Sequence, residues 1–278
     1  GPMSRSSIFL FLLIVTSTLR AQEVLTLSPA RPTAGSTLKL TYHPSAKAAT
    51  LKAPKALSAQ LLAVGKDAMP VMVEVDMKPK GKTFVGSTTV GENIGIYYIQ
   101  LADGDQTDNN EEKLWTQLVY GADGNPLAGG LYSRGQSYFS GRALMLKFER
   151  DPKKAIADLR EEVRLYPDAV GPRTLLWNVE LQTTPGEQTA NHVKQELEAF
   201  YEKVKGNEKD VVALLRAFEM TGQADRAKAI REEWTAKSPK GIIAENDRWQ
   251  AVFRERDAVK RFDLFEKTLT DFPPKESD

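Results

Sequence analysis

The sequence predicts a multidomain β plus α protein: an immunoglobulin-like antiparallel β-sandwich followed by a tetratricopeptide-like α-solenoid of about four helix pairs. Three observations predict it. Between residues 23 and 121 apolar side chains recur every second position. From residue 136 onward they recur at three and four. The second region is also punctuated regularly, at Pro167, Gly206, Pro239 and Pro273, which lie 39, 33 and 34 residues apart. Helix–turn–helix units at that period are the mark of stacked repeats.

Taken in order, the chain opens with Gly1-Pro2 before Met3, read as an expression scar. A basic start, an apolar run from Ile8 to Val15 and small polar residues then follow. That is the pattern of a secretory signal peptide, too short to span a bilayer, with cleavage expected near Ala21. Residues 1–21 are therefore assigned to scar and signal, and 22–121 to the sandwich. Seven strands are expected there: Val24–Ser28, Thr37–Tyr42, Ala59–Val64, Val71–Asp76, Thr83–Val90, Gly95–Leu101 and Leu114–Tyr120. In the second, Leu38, Leu40 and Tyr42 alternate with Thr37, Lys39 and Thr41, and in the fourth Val71, Val73 and Val75 alternate with Met72, Glu74 and Asp76. Alternation puts one set of side chains on one face of a sheet.

Residues 122–135 are rich in glycine and read as a linker, and Tyr132, Tyr138 and Phe139 are expected to pack where the domains meet. Residues 136–273 form the helical repeats, and 274–278 a tail. Each repeat supplies an apolar stripe: Ile156, Leu159, Val163 and Tyr166; then Val193, Leu197, Phe200 and Val204; then Ala227, Ile230 and Trp234; then Phe262, Phe265, Leu269 and Phe272. Such spacing lines one face of a helix. Charged triplets, Arg160-Glu161-Glu162 and Arg231-Glu232-Glu233, are assigned to the solvated face.

Composition narrows the chemistry. Of 278 residues, 41% are hydrophobic and 27% charged, with a formal net charge of +1. Without the first 21 residues, 36 basic stand against 37 acidic side chains, so nothing argues for nucleic acid or an anionic membrane surface. There is no cysteine, which excludes disulfides, thiolate metal sites and a thiol nucleophile. His43 and His192 sit in different regions and are given surface roles; Ser133 and Ser137 lack a nucleophile-elbow motif. No glycine-rich phosphate loop is found, and no cofactor is implied.

The densest cluster of oxygen ligands is the loop bearing Asp103, Asp105 and Asp108. Counted as a calcium hand from Asp103, it places Asp108 where glycine belongs and Leu114 where glutamate belongs, so it reads first as a turn and second as a calcium loop. Trp177, Trp234 and Trp249 read first as packing residues and second, with Tyr132, as candidates for contacting a partner.

The segments LTLSPARPTAGSTLKLTYHP, DGDQTDNNEE, LVYGADGNPLAGG and LKFERDPKKAIADLREEVRLYP together resemble the amino-terminal region of bacterial periplasmic thioredoxin-like (TlpA-like disulfide reductase) proteins. The resemblance implies an immunoglobulin-like domain and helical repeats ahead of a thioredoxin domain. It transfers no active-site residue, because that chemistry needs a Cys-x-x-Cys motif and the chain has no cysteine. The expectation is an exported, periplasmic or secreted, non-catalytic module that binds a protein or peptide partner or positions a redox domain in the same or another chain. The alternatives are a carbohydrate- or peptide-binding accessory and an enzyme with a site at the domain junction.

Overall fold

The computed structural model describes residues 22–67 and 69–275; the expected signal segment and the cleavage expected near Ala21 lie outside them. Nine strands come first. They are β1 (Leu25–Ser28), β2 (Thr37–Tyr42), β3 (Leu57–Val64), β4 (Val71–Asp76), β5 (Lys78–Lys80), β6 (Thr83–Thr89), β7 (Ile96–Asp103), β8 (Gln106–Asp108) and β9 (Trp115–Leu118). They form two open antiparallel sheets, one in the order β1-β2-β6-β5 and one in the order β4-β3-β7-β8, with β9 also paired to β7. All seven expected strands are present, and β2 and β4 have the expected ends. The two additional ones, β5 and β8, are three-residue strands of mostly exposed side chains.

Alternation explains the core. Leu38, Leu40 and Tyr42 of β2 turn inward and meet Leu57, Ala59 and Leu61 of β3 from the other sheet. Each such side chain contributes roughly 1.5–3 kcal/mol on leaving water. The central strands β3 and β7 are apolar on both faces. Leu62, Ile96 and Tyr98 point away from the first core and join a second one with Leu131 and Phe148. In β4, an edge strand, only Val75 is buried, and Val71 is 54% exposed.

The helical region contains α1 (Gly130–Ser140), a small hairpin of β10 (Arg142–Ala143) and β11 (Leu146–Lys147), and then seven helices. These are α2 (Pro152–Leu165), α3 (Val170–Thr183), α4 (Glu187–Val204), α5 (Glu208–Met220), α6 (Ala224–Lys237), α7 (Ile242–Arg254) and α8 (Ala258–Asp271). Even-numbered helices stop within two residues of the four expected punctuation points. Three starts are set by local caps: the side chains of Asp151, Asn207 and Asp257 accept backbone N–H groups of the first turn. A continuous core, including Trp177, Phe200, Phe218, Ile230 and Trp234, runs from α3 to α7.

Three sequence expectations need correction. The linker assignment for 122–135 is wrong in its second half, because α1 already begins at Gly130. The glycines there serve close approach: a Cβ on Gly130 would stand 2.6 Å from the carbonyl oxygen of Gly95. Glu162 is not on a solvated face but is 1% exposed. The α8 stripe is only partly covered. Phe272 is buried, whereas Phe262 is 59% and Phe265 40% exposed, because α7, through Trp249, covers that face only in part. No helix among the described residues is long and apolar enough to cross a membrane.

Candidate binding groove

Alternate helices present one face each to a common hollow. From α3 come Thr174, Asn178 and Leu181, spaced by four and three residues. From α5 come Val212, Arg216 and Glu219, on the side opposite buried Leu214 and Phe218. From α7 come Asn246, Gln250 and Phe253 at the same spacing. Repetition of that spacing on three helices keeps a polar and aromatic row facing outward while the other faces pack. A cavity of about 910 Å³ lies between α5 and α7, and one of about 270 Å³ between α3 and α5. Arg216 lines both, so the two hollows meet at its side chain. Tyr132 of α1 closes the far wall of the smaller one, and its burial pushes the phenol pKa up.

The groove's charges are arranged unevenly. The Arg231 guanidinium is shared by Glu219 at 2.9 Å and Asp247 at 3.7 Å. Burial pushes the Asp247 carboxyl up, and the positive charges of Arg231 and Arg254 pull it back. Among the described residues Arg216 and Arg254 have no carboxylate within ion-pair distance. The apolar part of the wall is Trp249 beside Phe253, with ring centroids 6.4 Å apart.

At the junction between sheets and helices the polar groups serve one another. The Glu162 carboxylate accepts the N–H of Gly129 at 2.6 Å and that of Tyr132 at 3.2 Å, capping α1 from the neighbouring helix. Burial pushes its pKa up, while the N–H groups of Gly129, Tyr132 and Leu131 pull it down. Arg134 makes a two-pronged pair with Asp158 at 2.7 and 2.9 Å. The Tyr98 and Ser137 hydroxyls share a hydrogen bond of 2.8 Å, both buried. Tyr138 and Phe139 pack against the small core around Leu159. The junction's polar groups are paired with one another, and Ser137 there is beside no histidine: His43 bonds Gln22 and Thr26, and His192 lies by Glu196.

The sequence candidates separate as follows. Trp177 is 1% and Trp234 6% exposed, so neither offers a platform; the Trp177 indole N–H donates to Glu196 at 2.8 Å. They are packing residues, because helix spacing puts them on the buried stripes. Trp249 and Tyr132 do reach the groove, at opposite ends. The calcium-loop reading fails on geometry. Asp108 is buried and accepts the Tyr42 hydroxyl at 2.8 Å and the Thr50 N–H at 2.9 Å. Asp103 instead accepts the N–H groups of Lys55 and Ala56, which hold its carboxyl below the usual range. Asp105 sits exposed in the turn between β7 and β8. Among the described residues no three His, Asp or Glu side chains come together as ligands.

Sequence reasoning missed Arg216, Arg254, Asn178 and Asn246. A signal for Arg216 existed. On α5 the positions Val211, Leu214 and Phe218 define the buried stripe, which leaves Val212, Arg216 and Glu219 as the opposite row. Comparison with known proteins adds no assignment: no family model, no curated protein and no solved structure matches this chain.

Proposed function

We propose that this chain is an exported, non-catalytic binding module that holds an extended segment of a protein partner in the groove along α3, α5 and α7. In this reading the two sheets form an immunoglobulin-like sandwich, and the helices a tetratricopeptide-like solenoid that the sandwich anchors. The observation that carries the reading is the pair of hollows joined at Arg216, walled by side chains at helical spacing on successive odd-numbered helices. A groove of that form suits a chain more than a small molecule, since it is long, open and lined by scattered donors among aromatic surface. The junction supports it too, because the polar groups there are spent on one another. The partner in this reading is a protein of the same exported compartment or a thioredoxin-like domain held beside the module.

Site-specific photo-crosslinking in a periplasm-exporting host tests this. A photoreactive residue at position 178 or 246 should give discrete protein adducts. The same residue at Lys228, whose side chain is exposed on α6, should give none. Equal adducts from all three positions, or none from the groove, would refute the reading.

A further inference from the structure

The groove reading leaves its ligand open, and the charges on its walls narrow it. Five ionic side chains line the two hollows: Arg216, Arg231 and Arg254 against Glu219 and Asp247. Both carboxylates lie within ion-pair distance of the one guanidinium of Arg231, and Asp247 also feels the charge of Arg254. Arg216 and Arg254 therefore set the net sign, and they lie on different helices, α5 and α7. Exposed apolar surface adjoins them: Phe253 is 73% exposed and stands against Trp249, which in turn packs on Phe265 at 5.7 Å. Guanidinium groups on a wall beside aromatic surface recognise carboxylates and stack with planar or apolar side chains.

We propose that the groove selects an acidic extended segment, whose side-chain carboxylates pair with Arg216 and Arg254 and whose apolar residues lie against Trp249 and Phe253. This rests on the groove reading and adds the chemistry of the occupant. The carboxylates belong to Asp or Glu side chains within the segment rather than to a chain terminus, because the two arginines stand on different helices and side-chain carboxylates can recur along a segment whereas a terminus supplies one. Glu219 and Asp247 work against misplacement, since ligand carboxylates near them would be repelled. The contribution is electrostatic and largely exposed, so it should weaken with salt.

The test uses three acetylated, amidated peptides of about twelve residues, long enough to cross several helices when extended. The first repeats Glu, Leu and Ser; the second replaces Glu by Gln; the third replaces Glu by Lys. Binding is read by fluorescence anisotropy at low and high salt. The Glu peptide should bind about tenfold more tightly than the Gln peptide, the sum expected of two exposed ion pairs, and the Lys peptide most weakly. R216Q and R254Q should each remove about threefold of the Glu preference, and the double variant nearly all of it, with the Gln peptide unaffected. F253A should weaken all three peptides equally. Equal binding of the Glu and Gln peptides, still lowered by F253A, overturns the acidic preference and leaves the groove reading standing. A Glu preference that survives the double variant overturns the assignment to these arginines. Absence of binding by every peptide overturns both this proposal and the groove reading.

Discussion

At the sheet end of the helical region, α1 has its first N–H groups held by a carboxylate from α2 and its apolar face pressed on a sheet. At the far end, α8 leaves Val259 72% and Phe262 59% exposed, and its ties to the rest include exposed ion pairs of Asp271 with Arg248 and Lys240. The helical region thus has one end fixed by buried, satisfied polar groups and another held by partial packing. Exposed pairs are worth about 0–1 kcal/mol, whereas a buried acceptor serving two helix N–H groups cannot be removed cheaply. Orientation of the helices on the sheets is therefore set at the Glu162 end, and freedom is concentrated at α8.

The largest effect should come from breaking the fixed end. Glu162→Ala leaves the N–H groups of Gly129 and Tyr132 unpaired at a buried site and should cost about 2–4 kcal/mol in denaturant unfolding. Glu162→Gln, which keeps an acceptor, should cost less. Its pH dependence sharpens the point. Because burial raises the Glu162 pKa in the fold, its contribution is fully present below the ordinary carboxylate range and is lost as pH rises through the raised value. Asp271 has the opposite sign. Its hydrogen bonds from Arg248 and Lys240 depress its pKa, so its contribution is present above the ordinary range and lost as pH falls through the lowered value. Profiles of Tm against pH for E162Q and D271N should thus change on opposite sides of the ordinary carboxylate range; changes on the same side would break the comparison.

Next in size is the glycine contact. Gly130→Ala sets a methyl group 2.6 Å from the Gly95 carbonyl oxygen, a backbone atom that cannot swing away. Helix and strand must separate, at about 1–3 kcal/mol by the same unfolding measurement. The smallest effect is expected at the free end. Phe262→Ala should change stability by less than about 0.5 kcal/mol. If it costs as much as E162A, the far end is not loosely held and the contrast fails.

Much of this arrangement could be read from the chain alone, for physical reasons. The strand pattern was legible in β2 because one of its faces meets solvent, which forces alternation. It was less so in β3 and β7, whose second face is covered by the α1 region, so their apolar residues run together. β5, Lys78-Pro79-Lys80, carries no apolar signal at all. Helix ends were legible where the cap is local, as at Asp151. The start of α1 was not, because its cap lies 33 residues away in Glu162. Glu162 was assigned to solvent beside Glu161, yet it falls on the buried row of Ala155 and Leu159, four and three residues apart. That spacing was the available clue. The groove was hidden for another reason: Arg216 and Arg254 are ordinary surface residues in sequence, and only the stacking of α5 beside α7 brings their row together.

Amide hydrogen exchange with and without the blocked Glu–Leu–Ser peptide tests the central claim most directly, since it reads where a ligand is held across the whole chain. The account predicts added protection in α5 and α7, centred on the segments around Arg216 and Gln250, with β3 and β7 unchanged. Added protection confined to the sheets, or none anywhere at saturating peptide, would contradict it.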